Sequence, residues 1–167
     1  MYQEIDFDKI DIHAEPPIEE PDRQYYYIAK CRQWAREFEK KNGRRPCFFI
    51  QTFGCQMNEH DSETLAGMLI ERGYVPGDSK TDVDLMILNT CSVRENADKR
   101  FFGTLGQLKH KKEECPEYTV AVCGCMMQQQ HVIDTLKAKY PWVDLVFGTH
   151  NLHQFPLLLQ NVMEERQ

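Results

Sequence analysis

No stretch of this 167-residue chain comes near the roughly 20 consecutive apolar residues that a membrane helix needs, so no membrane is expected as a partner. The N-terminus lacks the basic–apolar–small pattern of a signal peptide and is acidic instead. GxxxxGK[ST], GxGxxG and GxSxG are all missing, which argues against nucleoside-triphosphate and acyl-transfer chemistry. No CxxC knuckle and no dense disulfide spacing occur among the seven cysteines. That count is odd, so a reduced, cytoplasmic setting is expected, in which grouped cysteines point to metal or redox chemistry. Internal repeats and low-complexity tracts are absent as well.

The body of the chain also lacks a charge excess. Residues 1–22 hold eight acids against Lys9, a net of −7, so the other residues carry only +1 of the total −6. A near-neutral body is not the surface of a module that grips nucleic acid unaided. With Pro16, Pro17 and Pro21 among the acids, residues 1–23 read as a disordered or surface-draped arm. Residues 24–45 read as a basic amphipathic helix, with Ile28, Cys31, Trp34, Ala35 and Phe38 at helical spacing and a stop near Asn42-Gly43. Its seven Lys and Arg between Lys30 and Arg45 read as a solvated face, or as a contact to phosphates or to another domain.

From Cys47 the chain alternates strand and helix. CFFIQTF, a short Tyr74-Val75 segment, DLMILNT, TVAVCG and VDLVFG read as five strands. Helices are expected over 58–72, 94–113, 129–140 and 151–165. Leu65, Met68, Leu69 and Ile70 should line the inner face of the first, and Ala97, Phe101, Leu105 and Leu108 that of the second. This alternation predicts an α/β fold, a mostly parallel five-stranded sheet covered on both faces, with the N-terminal helix and arm as an extension. A strand order of 2-1-3-4-5 would make strands 1, 3 and 4 neighbours at about 4.8 Å spacing.

Three cysteines then fall at equivalent places: Cys55 in TFGCQMN, Cys91 in LNTCSVRE and Cys125 in VCGCMMQ. Each follows an apolar strand and precedes a polar helix start, so all three would project from the carboxyl edge of neighbouring strands. Gly54 and Gly124 allow the tight turns that precede two of them. A cubane iron–sulfur cluster normally takes four cysteines, and three would leave one iron open to another ligand. Zinc also takes thiolates, although its structural sites usually draw two ligands from one short knuckle. Gln56, Asn58, Asn89, Thr90 and Ser92 are candidate hydrogen-bond donors to cluster sulfurs.

The remaining cysteines read as structural. Cys47 opens the first strand at its far end, Cys31 sits on the apolar helix face and Cys115 lies in a polar loop. Cys123, two residues from Cys125, is a weak spare ligand. His60 should be exposed, and Lys109-His110-Lys111-Lys112 should form a solvated helix end that complements the dipole.

TFGCQMNEHDSE, ILNTCSVRENADKR and VCGCMMQ together resemble the three cysteine motifs of the N-terminal domain of the methylthiotransferases, radical S-adenosylmethionine enzymes that install a methylthio group. The resemblance spans residues 46–164, and GCQMN is most similar to the MiaB-type branch, which modifies isopentenylated adenosine beside the tRNA anticodon. Met127 departs from the commoner small residue or proline. The resemblance implies a flavodoxin-like three-layer sandwich whose Cys55, Cys91 and Cys125 hold an auxiliary [4Fe–4S] cluster. It also implies a sulfur donor, a radical S-adenosylmethionine domain with a second [4Fe–4S] cluster, and a C-terminal RNA-binding domain that makes most of the contact with tRNA. The CxxxCxxC of that radical domain does not occur here. The chain therefore looks like the amino-terminal piece of a longer enzyme, unable to catalyse methylthiolation alone. The alternative reading is a stand-alone iron–sulfur or zinc-binding module with a regulatory or electron-transfer role.

Overall fold

Strand β3 (Leu85–Thr90) and strand β4 (Thr119–Gly124) are buried along their whole length, as their unbroken apolar sequences require of central parallel strands. Around them stand β1 (Cys47–Phe53), β2 (Val75–Pro76) and β5 (Leu145–Phe147). The sheet order is β2-β1-β3-β4-β5 and every pairing is parallel, the flavodoxin-like order expected from the alternation. This structure, a computed structural model, describes residues 9–53, 56–90, 95–124, 130–148, 155, 158–159 and 161–162.

Alternation along the central strands splits the core in two. Met86, Leu88, Val120 and Val122 face Phe101, Leu105 and Leu108 of α3 (Glu95–Glu114) and Leu136 of α4 (Gln130–Lys139). Leu85, Ile87, Ala121 and Cys123 face Leu65 and Leu69 of α2 (Gln56–Glu71), with Phe155 and Leu159. The result is a three-layer sandwich. Of the helix expected over 151–165, only residues 155, 158–159 and 161–162 are described, and all are helical.

Helix α1 (Asp22–Asn42) ends at Gly43, whose φ of 71° and bond to Glu39 O close it as the Asn-Gly pair predicted. It buries Tyr26, Ile28, Ala29, Cys31 and Ala35 and stacks Trp34 on Tyr74 at 5.8 Å. Tyr26 Oη lies 2.8 Å from Ile12 O and 3.2 Å from Ala14 O, which holds this stretch of the arm against the helix.

Two expectations fail. Ile70 was expected on the inner face of α2 but is 54% exposed, because Leu65 and Leu69 alone fill the interface that α2 offers the sheet. Lys112 was expected in solvent. Its Nζ instead bonds Asp144 at 3.0 and 2.8 Å and the Tyr118 carbonyl, tying the end of α3 to the turn before β5.

Candidate metal centre at the carboxyl edge of the sheet

The register decides what the strand ends can build. Phe53 of β1 is level with Thr90 of β3, and Thr90 is level with Gly124 of β4. Cys91 and Cys125 follow directly on two of these residues, and Cys55 follows the third after Gly54. Cys55, Cys91 and Cys125 themselves lie outside the described residues, as do Gly54 and Ser92. At about 4.8 Å between neighbouring strands, the three chain segments leave the sheet within roughly 10 Å of one another. Among the described residues no group of three or more His, Cys, Asp or Glu side chains is placed to hold a metal ion.

The edge is held by a polar network rather than by apolar packing. Asn89, fully buried, donates from Nδ2 to Asn58 O at 2.8 Å and to Ser62 Oγ at 3.0 Å, and accepts from Asn58 Nδ2 at 3.4 Å. Ser62 also shares a 2.8 Å hydrogen bond with Thr52. The two residues between Phe53 and Gln56 are thus spanned by bonds on both sides. Thr52 is fixed on the strand, Asn58 and Ser62 on the helix, and Asn89 ties both to β3. Asn89 directs both amide hydrogens into this clamp, and Asn58 directs one of its own to Asn89. Ser62 escaped sequence reasoning, although it stands one helical turn after Asn58, on the same face.

Thr90 behaves otherwise. Its Oγ1 is buried with no hydrogen-bond partner among the described residues, a state that costs about 1–3 kcal/mol unless an acceptor arrives. Gly124 has a φ of 124°, and a Cβ placed on it would stand 1.8 Å from Thr90 O. Only glycine allows β3 and β4 to approach this closely at the point where Cys125 follows. A buried hydroxyl and a glycine-lined close approach at the ends of β3 and β4, which Cys91 and Cys125 follow directly in sequence, fit the polar surroundings of a sulfur-rich polynuclear group.

The other cysteines stand apart from this edge. Cys123 is fully buried in the core facing α2, and burial drives its thiol well above the ordinary range. It is a core residue, not a spare ligand. Cys47 and Cys115 both line a groove of about 810 Å³ at the opposite, amino-terminal edge of the sheet. Burial, the leading cause, raises the Cys47 thiol as well. Cys31 is buried in α1. His60 is exposed, and His110, also exposed, lies 3.0 Å from Glu114 one helical turn on. Among the described residues no helix is long and apolar enough to cross a membrane.

Comparison with known proteins agrees with the three motifs. Residues 47–148 match the family described as "Uncharacterized protein family UPF0004". A protein of Clostridioides difficile (strain 630) named tRNA-2-methylthio-N(6)-dimethylallyladenosine synthase is 53% identical over 143 residues, covering 86% of this chain and 30% of that protein. Its namesake in Acetivibrio thermocellus is 48% identical over 159 residues, covering 95% of this chain and 33% of the relative. The one in Bacillus pumilus is 51% identical over 118 residues, 71% of this chain and 23% of the relative. The chain spans about a third or less of the length of these relatives. With a family match over residues 47–148, most of the sandwich, and relatives about half identical across nearly the whole chain, this chain belongs to the UPF0004 family, whose relatives here are tRNA methylthiotransferases.

Proposed function

We propose that the chain is the N-terminal, cluster-binding part of a tRNA-2-methylthio-N6-dimethylallyladenosine synthase working in the cytoplasm. The full enzyme transfers a methylthio group to C2 of an isopentenylated adenosine beside the anticodon. The observation that carries this reading is the level register of Phe53, Thr90 and Gly124 on adjacent parallel strands, which supports one site shared by Cys55, Cys91 and Cys125.

In this reading the three thiolates hold an auxiliary [4Fe–4S] cluster. Such a cluster, ligated by three cysteines, supplies one iron with an open position at which the sulfur to be transferred can be carried. The protein's own contribution is positional. The Asn58–Asn89–Ser62 clamp fixes the segment that bears Cys55, and Gly124 lets the segment that bears Cys125 leave the sheet against Thr90. Thr90 Oγ1 is the buried donor available to a sulfur acceptor, which favours the reduced, more negative state of whatever it faces. S-adenosylmethionine, a second [4Fe–4S] cluster, the sulfur donor and most of the tRNA contact belong to other parts of the full enzyme. The 167 residues contain no CxxxCxxC, so this chain alone does not cleave S-adenosylmethionine.

Anaerobic reconstitution with iron and sulfide tests the site. About four irons per chain are expected, lost in Cys55→Ala, Cys91→Ala and Cys125→Ala and kept in Cys123→Ala. Zinc bound in place of iron, or an iron content indifferent to the three substitutions, would sink the reading. The first outcome would support the stand-alone zinc module instead.

A further inference from the structure

Helix α3 covers the centre of the sheet and leaves the end of β1 partly open. Its apolar stripe, Phe101, Leu105 and Leu108, packs with Met86, Leu88, Val120 and Val122 of β3 and β4. Strand β2 pairs with β1 only at Cys47 and Phe48, so Phe49 to Phe53 border no described strand on that side. Between the free end of β1 and the flank of α3 lies a cleft of about 320 Å³. Gln51 and Phe53 line it from the strand, and Arg100, Gly103, Thr104 and Gln107 from the helix. Its strand residues belong to the last three positions of β1, the strand that precedes Cys55 in sequence.

The chemistry of this cleft is one-sided. Among the described residues no acid lines it, in a chain whose net charge is −6. Arg100 is exposed and has no ion-pair partner among the described residues. Gln107 accepts from Lys80 Nζ through its Oε1 at 2.6 Å. That bond fixes the amide with its NH2 group free to donate, and brings a second cation near the rim. Gln51 and Thr104 add an amide and a hydroxyl.

Gly103 supplies an independent observation. A mid-helix glycine weakens a helix, yet nothing lies within 4 Å of a Cβ added at this position. No packing inside the chain calls for its missing side chain. The absence deepens the cleft down to the helix backbone.

A guanidinium flanked by neutral donors, with no carboxylate nearby, is the donor set of a phosphate site. Outside the acidic residues 1–22 the chain carries only a net +1, too little for general adhesion to nucleic acid, so one such contact serves to orient a backbone more than to hold it. We infer that this cleft binds a single phosphodiester of the RNA substrate, with Arg100 supplying the charge and Gln51, Thr104 and Gln107 the hydrogen bonds. The inference rests on the proposed role in an RNA-modifying enzyme. It adds the part of this chain that touches the substrate, next to the edge where the cysteines converge.

A labelled RNA stem-loop titrated onto the reconstituted chain at several salt concentrations tests it, with inorganic phosphate as a parallel probe followed by amide chemical shifts. Arg100→Gln is expected to weaken RNA binding roughly five- to tenfold and to lower the slope of log K against log salt by about one. Arg100→Lys should keep that slope. Gly103→Leu, which fills the cleft, should weaken binding while leaving the folded spectrum intact. Unchanged affinity and slope in Arg100→Gln, or no RNA binding by the parent chain, overturns the inference. Phosphate shifting the amides of residues 100–107 without any effect of Arg100→Gln on RNA would assign the cleft to free phosphate and overturn it too. Iron counted on the same samples reports the cluster separately: an intact iron content with failed RNA binding removes the cleft alone, and absent iron removes the underlying reading.

Discussion

Asn89 Nδ2 lies 2.8 Å from the backbone carbonyl of Asn58, a bond between the end of β3 and the first turn of α2 that crosses 31 residues of sequence. Both residues are almost completely buried. The contact joins the helix that follows Cys55 in sequence to the strand that precedes Cys91.

Removing this clamp should therefore affect the fold and the site together. Asn89→Ala takes an acceptor from Asn58 Nδ2 and a donor from both Asn58 O and Ser62 Oγ, at an expected cost of about 1–3 kcal/mol. Urea unfolding measures that loss. Iron retention after reconstitution should fall further than the loss of stability explains, because the segment bearing Cys55 is freed. Ser62→Ala, which removes one bond of the network and leaves the Asn58–Asn89 pair, should cost less and keep most of the iron.

How much of this was written in the sequence differs from element to element. The strand order was legible because the apolar runs at 47–53, 85–90 and 119–124 are too short for helices and too continuous for half-exposed strands. That order is the reason Cys55, Cys91 and Cys125 were expected at one edge, though the three cysteines lie outside the described residues. Asn58 and Asn89 were recognisable as donors, but residue type does not say to whom a donor gives. Their mutual bond depends on the register of β3 with β1. Ile70 was misplaced because four apolar residues at 65, 68, 69 and 70 make a wider stripe than the buried face uses. Lys112 was misread for a related reason. A run of basic residues signals solvent, and its partner Asp144 sits 32 positions away.

The glycines separate into two kinds with opposite expectations. Gly124→Ala forces a Cβ to within 1.8 Å of Thr90 O at a φ of 124°, so β3 and β4 must part at their ends. A loss of at least about 2–3 kcal/mol is expected, with cluster incorporation lost even in the fraction that folds. Gly67 and Gly103 are helical and meet nothing within 4 Å. Alanine at either should raise stability by roughly 0.5–1 kcal/mol. Thermal unfolding of the three variants distinguishes the cases by sign.

Lys112 and Asp144 form the most enclosed ion pair among the described residues, with side chains 15% and 18% exposed. Asp144 also accepts from the backbone N–H of Val120 at 2.8 Å, at the start of β4. Lys112→Met removes the cation and leaves a mostly buried carboxylate with the Val120 amide still donating to it. The expected cost is about 2–3 kcal/mol, somewhat below that of a fully buried pair broken on one side. Lys112→Met combined with Asp144→Asn should recover part of it. A double-mutant cycle in urea gives the coupling, and additive effects of the two substitutions would show that the pair contributes little.

Alkaline pH should unfold the domain through groups that burial keeps protonated. Burial is the leading cause for Cys123, whose thiol is driven well above its ordinary value of 9.0. Cys47 is raised chiefly by burial as well, and the phenols of Tyr74 and Tyr118 are raised above 10.0 for the same reason. Above pH 9 the unfolded chain therefore releases protons that the folded chain retains, and stability falls with rising pH. The contribution is complete below the unfolded values and is lost as pH climbs toward the folded ones. In reducing buffer, stability should hold level from about pH 7 to 8.5 and then decline, by about 1.4 kcal/mol per pH unit for each group that differs fully between the two states. Cys123→Ala should be less stable at pH 7, because it opens space in the core, but should decline less steeply between pH 9 and 10. Parallel curves for the parent and Cys123→Ala would show that this thiol ionises without resistance from the fold.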